Sequence, residues 1–144
     1  MEYLVYSQNT VELAQLSDIL TAPFLDDGVW VIYAYNDQHE LVGAVALSIA
    51  NSYNFKTKAV MRYGIIDYIA SRKKGIGTIL MHAAEQWFRD RIGEMTHKMI
   101  QVNSVRTSTG FYEIMGYKYC EEIDELFNER LYTMQKTLED QISP

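Results

Sequence analysis

The residues with the most chemical promise are Arg72-Lys73-Lys74-Gly75-Ile76-Gly77-Thr78. Three cations and two glycines gather there in a chain whose formal net charge is −6. The run follows a long apolar stretch, Val60 to Ala70, and opens a helical pattern that reaches about Arg91. A strand, a glycine-bearing turn and a helix start together make an anion cradle. Glycine lets backbone approach a ligand closely, and the first N–H groups of a helix have no partner inside it. The helix dipole adds positive potential at the same end. The chemistry this predicts is the binding of a phosphate-bearing small molecule. It is not a P-loop, since no Gly-Lys-Ser/Thr follows, and the G-x-G-x-x-G order of a dinucleotide fingerprint is missing.

A second group of candidates lies in Phe111-Tyr112-Glu113-Ile114-Met115-Gly116-Tyr117. Arg72-x-x-Gly75-x-Gly77 resembles the acetyl-CoA pyrophosphate loop of the GNAT N-acetyltransferases, usually written Gln/Arg-x-x-Gly-x-Gly/Ala. The later segment resembles that family's Phe-Tyr-x-x-x-Gly-Phe/Tyr. The two stand in the family's order with one helix and one strand between them, and the resemblance covers nearly the whole chain.

The elements that must position these residues can be read in order. Tyr3 to Gln8 is a strand of β-favouring residues. Asn9 or Thr10 caps an amphipathic helix from Val11 to about Leu20, with Glu12 placed as in a capping box and Pro23 as its stop. Residues 21–28 form a loop. Val29 to Tyr35 and Leu41 to Ile49 make a hairpin around the polar turn 36–40. Asn51 to Asn54 breaks the pattern, and a central strand runs from Lys56 or Thr57 to about Ile69, with Gly64 marking a bulge or a close backbone approach. Ile76, Ile79, Leu80, Ala83, Trp87 and Arg91 share a helical face, closed by Gly93. Met99 to Val105 is a strand, and Thr107-Ser108-Thr109 caps a short helix stopped by Gly116. Tyr117 to Ile123 and Arg130 to Leu138 are antiparallel strands, and the tail from Glu139 frays. The order β-α-β-β-β-α-β-α-β-β gives one α/β domain over residues 1–144, a mixed six- to seven-stranded sheet flanked by helices. That is the GNAT-like acyl-CoA N-acyltransferase fold the resemblance implies.

The resemblance implies roles as well. Acetyl-CoA is the cosubstrate, and an amine attacks it directly in a ternary complex. Main chain from Arg72 through Lys73, Lys74, Gly75, Ile76 and Gly77 to Thr78 would hold the pyrophosphate. Backbone N–H groups of Ile65, Ile66 and Asp67 match the strand that meets the pantetheine arm and the thioester carbonyl. Tyr112 matches the tyrosine that protonates the departing sulfur, a task suited to a phenol of pKa ~10; its alternative role is packing under the cosubstrate. Asp67 stands where the family more often has a small apolar residue. It could take the amine's proton through water, hold a cationic acceptor, or simply face solvent. Gln101 lies near where some members carry a glutamate on the next strand, and an amide cannot accept that proton. The family's asparagine, seven residues before its tyrosine, is Val105 here, so Asn103 would have to serve for the pantetheine arm. Arg62 and Tyr63 would suit an acidic acceptor.

Charge and composition narrow the partners. The negative balance argues against general nucleic-acid binding. Hydrophobic content of 48% and charged content of 22% are those of a soluble globular protein. No signal peptide or membrane-spanning run is visible, and the single Cys120 precludes an internal disulfide, so the expected compartment is the cytoplasm. His39, His82 and His97 have no metal-ligand spacing, and no metal is expected. Eleven tyrosines either line a cleft or fill half-exposed strand faces. The resemblance implies an amine acceptor, whether a small molecule, a peptide N-terminus or a lysine, with specificity in loops 21–28, 51–56 and 124–129. Family members often pair through their late strands, which implies a homodimer. A non-catalytic acyl-CoA-binding or interaction module on the same fold is the competing reading.

Overall fold

The computed structural model describes residues 2–16, 28–105, 109–119 and 131–138. Expected features at residues 17–27, at Thr107-Ser108, at Cys120, in loop 124–129 and in the tail from Glu139 lie outside the described residues. Strands β1 (Tyr3–Ser7), β2 (Trp30–Tyr35), β3 (Leu41–Asn54), β4 (Ala59–Ser71), β5 (Met99–Val105), β6 (Lys118–Tyr119) and β7 (Leu131–Thr137) form one mixed sheet. Their order in it is β1-β2-β3-β4-β5-β7-β6. The helices are α1 (Ile76–Arg89) and α2 (Thr109–Ile114). Two compact units divide the chain, one of Met1–Ser48 with Ile66–Trp87, the other of Ile49–Ile65 with Phe88–Pro144.

In the first unit β1 pairs antiparallel with β2, Tyr3 opposite Tyr35, and those two rings stack at 5.3 Å. β2 pairs antiparallel with β3 through a turn built by Asn36, whose Oδ1 accepts from the N–H groups of Gln38 and Glu40. His39 takes the left-handed conformation there, at φ 62°. Four central residues of β2 are buried, because the strand is covered on both faces. On one face Val31, Tyr33 and Ala44 cluster with Leu16, and Leu13 packs against the group. Tyr33 also donates its hydroxyl hydrogen to the carbonyl of Asn9, at 2.6 Å. Tyr3, Tyr33 and Tyr35 thus fill strand faces.

Leu13 and Leu16 reach that cluster from a 3-10 helix, Val11–Leu16, where the sequence predicts an α-helix. Asn9 caps it as expected, its Oδ1 accepting the Val11 N–H at 2.9 Å. The capping box does not form. Asn9 N–H donates to Ser7 Oγ, and the Glu12 carboxylate accepts from the Gln15 amide. The tighter winding is set at the first bond, Leu13 N–H to Thr10 carbonyl, an i→i−3 closure.

Helix α1 packs where β3 has no side chain. A Cβ on Gly43 would stand 2.8 Å from both Ile76 Cγ2 and the Ala70 carbonyl oxygen. The buried arc of α1 is Ile76, Leu80, Met81, Ala84, Glu85, Trp87 and Phe88, while Ile79 is 40% exposed. The face is therefore rotated from the predicted one, which ran through Ile79 and Ala83 and left out Met81, Ala84, Glu85 and Phe88. The approach at Gly43 selects Ile76 and Leu80 as the contact row, and their i+4 successors follow. α1 stops at Arg89, and Gly93 lies in a separate 3-10 turn, Ile92–Glu94, without a left-handed φ. It is not the predicted cap.

In the second unit β3 runs on through Asn51–Asn54, where the sequence reads as a loop, and turns over residues 55–58 with Lys58 at φ 58°. Gly64 on β4 is the close approach the sequence allows for: a Cβ there would lie 2.7 Å from the Phe88 ring. β5 pairs antiparallel with β7 from Met99↔Thr137 to Val105↔Leu131, and β6 lies on the other side of β7.

Candidate active site

Helix α2 ends in a Schellman motif. Tyr117 N–H donates to the Tyr112 carbonyl at 2.9 Å, and Gly116 N–H to the Glu113 carbonyl at 3.0 Å. Gly116 supplies the left-handed φ of 94° that this stop requires. The rings of Tyr112 and Tyr117 meet edge to face at 6.0 Å, the apolar contact that accompanies such a cap. Lys136 of β7 completes it, donating from Nζ to the Met115 carbonyl at 2.9 Å. The spacing Tyr-x-x-x-Gly-Tyr is thus first of all a helix stop. Phe111 meets Tyr112 edge to face, with ring centroids 5.3 Å apart. Tyr112 is only 5% exposed, and burial pushes its phenol up to about 12. It therefore holds its proton throughout the physiological range.

The first unit carries the glycine turn. β4 ends at Ser71, and Arg72 N–H donates to the Val42 carbonyl at 2.8 Å, which fixes where the turn begins. Gly75 stands at φ 90°, with nothing within 4 Å of where a Cβ would be, so glycine is needed there for conformation and not for room. Ile76 N–H donates to the Lys73 carbonyl and Ile79 N–H to the Gly75 carbonyl, each at 3.2 Å. The N–H groups of Gly77 and Thr78, the other two of the helix's first four, have no acceptor among the described residues. They sit at the positive end of a 14-residue helix.

Two of the three cations are already engaged. Arg72 donates from Nη2 to the Gln15 carbonyl at 2.6 Å, and Lys73 Nζ stands 3.4 Å from Glu2 Oε1. Lys74 is exposed and makes no such contact among the described residues. Upstream on β4, Ile66 is buried and Asp67 exposed. The Asp67 carboxylate accepts the Ser48 hydroxyl hydrogen at 2.8 Å, a partner sequence reasoning missed. Ile65, Asn103 and Tyr112 belong to the second unit. Asn103 lies on β5 opposite Thr133. The Arg62 backbone is held by the segment before β5, its N–H donating to Thr96 Oγ1 at 2.7 Å.

The chain matches the Acetyltransferase (GNAT) family over residues 3–117. It belongs to that family. GNAT enzymes draw their acetyl group from acetyl-CoA, and the chain is an acetyl-CoA-dependent N-acetyltransferase. The unpartnered donors of Gly77 and Thr78 behind the left-handed Gly75 fit the diphosphate of such a cosubstrate. Solved structures agree on the fold. Arabidopsis thaliana NAA60 in complex with acetyl-CoA is 13% identical, with TM-score 0.69 over 94% of this chain and 99% of that one. Mutant forms of the spermidine/spermine N-acetyltransferase SpeG from Vibrio cholerae are 14% identical, with TM-score 0.67 over 95% of each chain. Chaetomium thermophilum Naa20 with a bisubstrate analogue is 16% identical, with TM-score 0.64 over 76% of this chain and 66% of that one. No curated protein sequence matches the chain. No helix among the described residues is long and apolar enough to cross a membrane.

Proposed function

We propose that this GNAT enzyme acetylates a cationic primary amine by direct attack in a ternary complex, with Asp67 taking the amine's proton and Tyr112 giving one to the sulfur. The observation that carries the reading is the glycine turn, where Gly75 at φ 90° precedes a helix with two N–H groups that have no acceptor among the described residues. Acetyl-CoA supplies a thioester whose acyl carbon is open to a neutral amine. Gly77 and Thr78 N–H groups hold the diphosphate, with Lys74 adding screened attraction from the surface. Backbone N–H groups of Ile65, Ile66 and Asp67 orient the acyl oxygen, and Asn103 steadies the pantetheine arm. Asp67, exposed on β4, meets the acceptor as an ammonium and removes the extra proton. Tyr112, kept protonated by its burial, gives its phenolic proton to the departing sulfur.

A cationic acceptor suits both a carboxylate at the site and a net charge of −6. The polyamine named for the Vibrio structure is one such compound, and a peptide amine, as an ammonium, is another. The same reading makes residues 1–144 one catalytic domain working in the cytoplasm, paired as a homodimer through its late strands.

The test is a thermal-shift titration with acetyl-CoA, CoA and desulfo-CoA, followed by free-thiol release with spermidine, free lysine and an unblocked peptide. A rise in melting temperature with all three nucleotides, and thiol release with at least one amine, is expected. A folded protein whose melting point ignores millimolar acetyl-CoA would overturn the glycine-turn assignment.

A further inference from the structure

We propose that the Ser48 hydroxyl is a positioning group for Asp67, holding its carboxylate for proton removal from the acceptor. This rests on the reading of Asp67 as the base. Two polar side chains meet here across largely apolar stretches of sequence. Ser48 is the only polar residue from Leu41 to Ala50 on β3, and Asp67 the only charged one from Tyr63 to Ser71 on β4. These strands are neighbours in the sheet, and the hydroxyl donates to Asp67 Oδ2 at 2.8 Å. An ionised carboxylate only accepts, and a serine hydroxyl carries one hydrogen to give. The bond therefore favours the ionised aspartate and fixes the rotation of a short side chain on an exposed strand face.

The proton balance places the need for this. An ammonium must lose one proton before it can attack; Asp67 takes it and later returns it to solvent. The freed lone pair forms the C–N bond as the C–S bond breaks. Sulfur leaves with the bonding pair and receives the Tyr112 proton, and the proton shed by the acylated nitrogen restores the phenol. A carboxylate with one bond fewer holds its rotamer less firmly and meets the ammonium less often, so Ser48 should act on turnover and not on cosubstrate binding.

Ser48→Ala, Ser48→Thr, Asp67→Asn and the Ser48→Ala/Asp67→Asn double variant are compared with the panel amine that reacts fastest. Ser48→Ala is expected to lower kcat about three- to tenfold. Its melting shift with acetyl-CoA should be unchanged, and Ser48→Thr should restore turnover. In the Asp67→Asn background the Ser48→Ala change should cost nothing more. The side-chain carboxyl 13C resonance of Asp67 gives a reading that needs no acceptor, and it should move in Ser48→Ala and stay in Ser48→Thr. A normal kcat in Ser48→Ala beside an impaired Asp67→Asn overturns the positioning role and leaves the base in place. An undiminished Asp67→Asn overturns the base itself. Equal losses from Ser48→Ala in both backgrounds, or an unmoved resonance, mean that Ser48 does not act through Asp67.

Discussion

The guanidinium of Arg72 reaches back 57 residues along the sequence to donate to the main-chain carbonyl of Gln15, at 2.6 Å. The first residue of the glycine motif thus ties the 3-10 helix of residues 11–16 to the end of β4. Arg72→Ala should lower apo stability by about 1 kcal/mol, the usual worth of an exposed bond of this kind. Its affinity for acetyl-CoA should change less than its melting temperature implies. A side chain serving mainly as a phosphate ligand would give the reverse, an unmoved apo melt with weakened, salt-sensitive binding, and calorimetry separates the two.

Gly75→Ala tests conformation without crowding. The position is open but its φ of 90° is hostile to any residue with a Cβ. The substitution should cost about 1–2 kcal/mol, or shift the turn to relieve the strain. Either way the Kd for acetyl-CoA should rise tenfold or more. An unchanged Kd would remove the turn from the binding site.

Tyr112→Phe keeps the ring against Tyr117 and the carbonyl that accepts from Tyr117 N–H. Folding and the acetyl-CoA melting shift should survive, while kcat falls about 100-fold if the phenol is the acid. Full turnover would leave Tyr112 a purely structural residue.

Alkali should unfold the protein through its buried phenols. Tyr33 and Tyr112 both rise from 10.0 to about 12, through burial foremost and, for Tyr33, the Glu12 carboxylate next. A raised folded value means that the contribution is whole below pH ~10 and lost as pH climbs through ~12. Denaturant melts at intervals across that window should show stability falling with pH, and less steeply in Tyr112→Phe.

Gly64→Ala would press a methyl group onto the Phe88 ring, 2.7 Å from where its Cβ must sit. A loss of about 1–3 kcal/mol is expected, and Phe88→Leu should recover part of it in the double variant.

Much of this was legible in the chain. Strand periodicity, the Asn36 turn, the Gly75 turn and the Gly116 stop each follow from local chemistry, and they set the element order. What escaped was decided at a distance. The run Asn51-Ser52-Tyr53-Asn54 reads as loop because it is polar, yet β4 lies beside it to pair with. Ile79 fits the edge of the helical stripe, but the buried arc extends from Ile76 and Leu80 the other way, toward Met81, Ala84 and Phe88. Gly93 has the right place for a cap without the φ of one. At the site, the left-handed turn at Gly75 was expected from its residues, while the roles given to the turn and to Tyr112 come from the family resemblance. The Ser48 and Gln15 partners were not expected, since a bond between strands or across 57 residues leaves no periodic trace.

The cap on α2 bears on what the family's late motif can testify to. Tyr112 accepts through its carbonyl, Gly116 supplies the backbone twist and Tyr117 seals the end, and none of these uses the phenolic hydroxyl. Selection for a well-terminated helix would therefore preserve the pattern in a descendant that had lost its acetyl transfer altogether. The motif is a witness to architecture, and only the oxygen atom on Tyr112 speaks for chemistry.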